Sequence, residues 1–136
     1  MTVMSVKLRS IPDTQASIGW AGTNSVIVDR PEGKAGGQGL GFNGGQLLAL
    51  AIGGCFCNDL HYVAHEMGIE LRSVSVDVSL TLDGTPLLAT SAAVQVDVEA
   101  VSDDADIAAL IRRAEEISTV RNSIQRGVSV TVSSHS

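Results

Sequence analysis

Met4, Val6 and Leu8 alternate with Ser5, Lys7 and Arg9, the period-two pattern of a strand with one apolar face. After the turn signal Gly22-Thr23-Asn24, Ser25 to Asp29 is rich in β-formers, so the opening third reads as two or three antiparallel strands. From Phe42 to Leu60 the alternation gives way to a nearly continuous apolar run, FNGGQLLALAIGGCFCNDL. Asn43 and Gln46 have the spacing of a capping box, and Gly68 offers a left-handed terminus, which predicts a helix over roughly 44–67. At ~1.5 Å per residue it spans about 35 Å. Its first half is apolar on every side and its second half gains Asn58, Asp59, His61, His65 and Glu66, so the expectation is an enclosed N-terminal half and an emerging far end. Gly53 and Gly54 weaken a helix and suit a close approach of another backbone, as in a helix that packs on its own copy in a dimer.

Beyond Gly68, Val74, Val76, Val78, Leu80 and Leu82 alternate with mostly polar neighbours. Asp83-Gly84-Thr85 turns the chain, and Val94, Val96 and Val98 return on one face, a long hairpin. Ser102 is the expected cap of a second helix, with Asp103, Asp104 and Asp106 in its first turn and Ile107, Leu110, Ile111, Ala114 and Ile117 as its apolar stripe. Residues 118–125 suit one or two further helical turns, and Val128, Val130 and Val132 alternate as a closing strand. Strands, long helix, hairpin, helix and strand make an α+β arrangement, in which antiparallel sheets wrap a central helix.

The chain of 136 residues has the length of one ordinary domain, and its 44% hydrophobic content is ample for a packed core. Fifteen acidic against nine basic residues leave a net charge of -6, which argues against nucleic acid or an anionic membrane surface as partner. No membrane span is expected, because the longest apolar run, Leu47 to Cys57, falls short of the ~20 residues a spanning helix needs. With no apolar signal core in MTVMSVKLRSIP, the expected location is the cytoplasm. The Gly-rich interval from Gly33 to Gly41 lacks a phosphate-binding fingerprint. No cofactor is expected.

Both cysteines, Cys55 and Cys57, fall inside the long helix, and few other residues offer covalent chemistry. Cys55 is therefore either a reactive thiol or a packed one. Cys57 lies ~200° around the helix from Cys55, which puts a disulfide between them out of reach without unwinding, and it reads as a small buried hydrophobe. Asp59, one turn past Cys55, is either a surface carboxylate or the anchor of an arginine beside the sulfur. His61 and His65 share a face, yet two ligands do not make a metal site, and none is expected.

Asn43 to Cys55, with Leu47-Leu48 and small residues leading to the thiol, then a hairpin, an acidic-capped helix with Ala114-Glu115 and a Val-rich end, resembles the OsmC/Ohr family of thiol-dependent hydroperoxide reductases. The resemblance spans nearly the whole chain and implies one OsmC-like domain over 1–136, forming an intertwined homodimer with the active site at the subunit boundary. It further implies reduction of organic hydroperoxides or hydrogen peroxide. In that family the helix Cys attacks the O–O bond, and a second Cys, at the start of a later short helix, closes a disulfide that a dithiol reductant reopens. Cys55 matches the first position.

Three departures bear on activity. The family's Cys-Pro-Val-Ser appears as Ser118-Thr119-Val120-Arg121, so the resolving thiol is missing. Its acidic pair before Leu-Leu appears as Asn43-Gly44-Gly45-Gln46, placing an amide where an anion helps hold the catalytic Arg. Arg30, in Arg30-Pro31-Glu32-Gly33, is the best match to that Arg, with Arg121 as the other candidate cation. The expected site is Cys55, Arg30, Gln46 and Asp59, acting on a small peroxide with an external thiol or dithiol as reductant. The competing expectation is a non-catalytic dimer of the same family that binds a small apolar ligand.

Overall fold

The computed structural model describes residues 1–134, which divide into two compact units, Met1–Leu48 and Ala49–Ser136. In the first, strands β1 (Lys7–Ser10), β2 (Ser17–Ala21) and β3 (Asn24–Val28) form an antiparallel sheet in the order β1-β2-β3. Lys7 faces Trp20 and Ser17 faces Val28 in the register. Gly22, at φ +62°, makes the tight connection between β2 and β3, as the turn signal required. Met4 and Val6 extend the alternation seen in the sequence but are exposed and unpaired, so β1 is shorter than the pattern suggested.

Helix α1 (Gly44–Glu66) begins and ends where its caps placed it. The Asn43 N–H donates to Gln46 Oε1 at 3.0 Å and the Gln46 N–H to Asn43 Oδ1 at 2.9 Å, a reciprocal capping box. Gly68, at φ +67°, turns the chain out, with the Ile69 N–H on the Ala64 carbonyl at 2.8 Å.

In the second unit, β4 (Leu71–Asp83) and β5 (Leu88–Ala100) pair along their whole length. Val74, Val76 and Val78 stand opposite Val98, Val96 and Val94, so one face of the ribbon is a double row of valine. That face, with α2 (Ile107–Ile117), covers Phe56, Leu60, Val63 and Ala64 of α1, and Leu110 and Ala114 complete a core with no exposed member. A short helix α3 (Thr119–Arg126) follows at once.

Four expectations are corrected. The buried residues of α1 are Ile52, Gly53, Phe56, Asp59, Leu60, Val63 and Ala64, so its C-terminal rather than its N-terminal half is enclosed, because the hairpin and α2 cover that half. Helix α2 starts at Ile107 under Asp106, whose Oδ1 accepts from the Ala109 N–H at 3.0 Å, while Ser102 caps only the preceding turn through the Asp104 N–H. Asp103 and Asp104 therefore lie before the helix. The closing strand is not formed: Val128, Val130 and Val132 are exposed and pair with nothing among the described residues. Finally, α1 taken whole is long and apolar enough to cross a membrane, although its uninterrupted apolar run is short. Here Phe56, Leu60, Val63 and Ala64 of its second half pack in the core just described, and the helix also buries Asp59.

Gly53 owes its place to the hairpin, since a Cβ there would lie 2.9 Å from Val78 Cγ2. Valine is stiff at χ1 and cannot swing aside. Gly53→Ala is expected to lower stability by about 1 kcal/mol net in urea unfolding, the overpacking cost of ~1–3 kcal/mol exceeding the ~1 kcal/mol of regained helix propensity. A Cβ at Gly54 meets nothing within 4 Å.

Candidate active site around Cys55

The i, i+4 spacing of α1 puts Cys55 and Asp59 on one face, and both lie beside the junction of α2 and α3. The half-buried Cys55 donates its S–H to Asp59 Oδ2 at 3.6 Å, and the Ser118 hydroxyl donates to Cys55 Sγ at 3.9 Å. Asp59 is buried, 7% exposed, and has no ion-pair partner among the described residues; Ser118 is wholly buried. The sulfur therefore has one buried acceptor, the Asp59 carboxylate, and one buried donor, the Ser118 hydroxyl.

The other expected site residues have partners of their own. Gln46 uses its side-chain oxygen in the capping box. Arg30 lies in the first unit, where its Nη2 donates to the Gln15 carbonyl and pairs with Asp29 Oδ1 at 3.4 Å. Asp29 is itself an anchor: it accepts the N–H groups of Arg30, Gln38 and Leu40 and so gathers the Gly-rich loop around one carboxylate. The Leu40 amide first, then those of Gln38 and Arg30 and the Arg30 charge, hold its carboxyl below the usual range against the opposing effect of burial. Arg121, in the same unit as Cys55, pairs with Glu115 at 3.0 Å and donates to Asn122 Oδ1. No guanidinium donates to the Cys55 sulfur among the described residues. Cys57 is a free, half-buried thiol, and His61 and His65 are exposed. No group of three or more metal-ligating side chains occurs among the described residues.

Ser118 is the neighbour that the sequence reading left out of the site. Its match to the position of the missing family Cys was the signal that could have placed it there.

A cavity of about 590 Å³ is walled by Ile52, Phe56, Val94, Val96, Ile111 and Ile124, with the Glu115–Arg121 pair at its side, and Cys55 is not among its lining residues.

A family model described as OsmC-like protein matches residues 36–133, across the boundary of the two units and through every element from α1 to α3. The chain belongs to the OsmC-like family. Solved OsmC folds agree with its architecture. An OsmC-like protein from Mycoplasma pneumoniae superposes with a TM-score of 0.74 at 13% identity, over 91% of this chain and 88% of that one. An organic hydroperoxide resistance protein OsmC from Legionella pneumophila gives 0.67 at 22% identity, over 92% and 90%. The organic hydroperoxide resistance protein OhrB of Bacillus subtilis gives 0.56 at 24% identity, over 90% of each. No curated protein matches the sequence.

Proposed function

We propose that this OsmC-like chain is a one-cysteine peroxidase that reduces organic hydroperoxides or hydrogen peroxide through Cys55 with an external thiol as reductant. The observation that carries the reading is the placement of Cys55 Sγ between a buried carboxylate and a buried hydroxyl. Asp59 takes the thiol proton. The thiolate then attacks the distal peroxide oxygen, an S–O bond forms as the O–O bond breaks, and the alkoxide leaves with the electron pair and collects the proton from Asp59. Sulfur is oxidised to the sulfenic acid and the peroxide is reduced to an alcohol. One external thiol condenses with the sulfenic acid and releases water; a second releases Cys55 and departs as the disulfide. Support also comes from the names of the Legionella and Bacillus proteins, which are organic hydroperoxide resistance proteins. Arg30 or Arg121 is the proposed activating cation and Gln46 a proposed helper in positioning it, which requires a rearrangement of the pairs each now makes.

We further propose that the chain works in the cytoplasm as a single OsmC-like domain and an intertwined homodimer. The exposed Val128, Val130 and Val132, both free edges of the β4–β5 ribbon and the uncovered first half of α1 support the dimer.

Stopped-flow mixing of the reduced protein with cumene hydroperoxide tests the reaction. The expected result is loss of one thiol per chain with no intramolecular disulfide. An unreactive Cys55 overturns it, and the cavity of about 590 Å³ then favours the second reading, a non-catalytic dimer that binds a small apolar ligand.

A further inference from the structure

Ser118 sits at the N-cap of α3, where a serine ordinarily turns its oxygen back onto the amides of the first helical turn. It makes no such bond. Its backbone has extended cap geometry, φ -64° and ψ 107°, and its N–H and C=O serve the two helices, bonding to the Glu115 carbonyl and the Asn122 N–H. The hydroxyl alone is left over, fully buried, and the one hydrogen bond it makes is to Cys55 Sγ, 63 residues away in the chain. A buried hydroxyl that forgoes the cap available to it and points at a thiol has been aimed there by the fold.

We infer that Ser118 is a positioning residue for Cys55: it donates its hydroxyl to the sulfur, steadies the thiolate before attack and holds the sulfenate oxygen afterwards, in place of resolving it. This rests on the peroxidase reading for the sulfenate and on the geometry alone for the thiolate. The sulfur has one donor, Ser118, and one acceptor, Asp59, within hydrogen-bond reach. A donor to sulfur favours its anionic form, whereas an alanine leaves that form facing Asp59 without compensation. The α3 N-terminus begins at the same residue, with no side-chain cap on its first-turn amides. Glu115 and Arg121, each three residues from Ser118 in the chain, pair with one another at 3.0 Å. The hydroxyl cannot be oxidised by the sulfenic acid to a cross-link, as a thiol in its place would be, so the oxidised sulfur waits for a reductant from outside.

The test is iodoacetamide alkylation of Cys55 against pH in a Cys57→Ala background, which needs no peroxide turnover and so reads Ser118 whether or not Cys55 is a peroxidase. Ser118→Ala is expected to slow alkylation at pH 7 about threefold to tenfold and move the profile upward in pH, with Ser118→Thr restoring it, as removal of a donor to an anion requires. A merely structural serine would change the melting temperature and leave the profile where it was, and that result overturns the inference. Ser118→Cys checks the geometry independently: after one equivalent of hydrogen peroxide it is expected to form an intramolecular disulfide with Cys55, and two thiols that stay free overturn the assigned contact. If these hold while the parent ignores cumene hydroperoxide, the peroxidase reading fails and the contact stands.

Discussion

Cys55→Ser is expected to abolish peroxide consumption, on the order of 10³-fold or more, as removal of a nucleophile does. A serine keeps a hydroxyl near Asp59 and Ser118, but the 3.6 and 3.9 Å contacts of the sulfur are longer than an O–H···O bond, so both partners must close in to retain one. The variant separates chemistry from folding. Its circular dichroism and urea midpoint are expected to match the parent within error, while coupled peroxide assays with an external dithiol fall to the uncatalysed rate. Cys57 carries no partner, and Cys57→Ala should leave turnover within about twofold. Should turnover persist in Cys55→Ser and vanish in Cys57→Ala, the site has been assigned to the wrong sulfur.

Val130→Asp is expected to weaken the homodimer by at least about 100-fold in dissociation constant, two tenfold steps of about 1.4 kcal/mol each. Val130 is 82% exposed in the single chain, so a charge there has no contact to break and no burial to lose within one subunit. Any large effect must act through a second copy. The segment is extended, alternates apolar and polar residues, and lacks a ladder partner, while the ribbon beside α1 has two unpaired edges. Pairing such a segment across the subunit boundary would bury the Val128, Val130 and Val132 row and place a carboxylate at Val130 in an apolar contact without a counter-charge. Sedimentation equilibrium reads the outcome directly: parent dimer and mutant monomer support the intertwined assembly, and an unchanged dimer removes this segment from it.

What could be read from the chain follows how local each determinant is. Both ends of α1 were legible because Asn43, Gln46 and Gly68 act within a turn of where they stand. The hairpin was legible because its valines face one another across the strands at the period the sequence displays. Helix α2 was misplaced at its start because Ser102 and Asp106 are both competent caps, and the choice belongs to the burial of Leu110 and Ala114. Which half of α1 is enclosed depends on where the ribbon folds back. The strand at Val128 had the right alternation, but a strand exists only with a neighbour to bond, and alternation names none. At the site, Cys55 and Asp59 were legible from helical spacing. Ser118 reaches Cys55 from 63 residues further along the chain, a closure that no local pattern encodes.

The loop gathered on Asp29 has the layout of a wheel, with one carboxylate as hub and the amides of Arg30, Gln38 and Leu40 as spokes. Backbone amides are common to nearly all residue types, so the hub holds the path of the chain rather than any particular side chain. Asp29→Asn would keep the shape and lose the charge that makes three donors welcome at one point. The rim between Lys34 and Gly37 is held as firmly by space as the hub is by charge, since a Cβ on Gly36 would run into the Gln15 side chain and one on Gly37 would lie 2.6 Å from the Arg30 carbonyl.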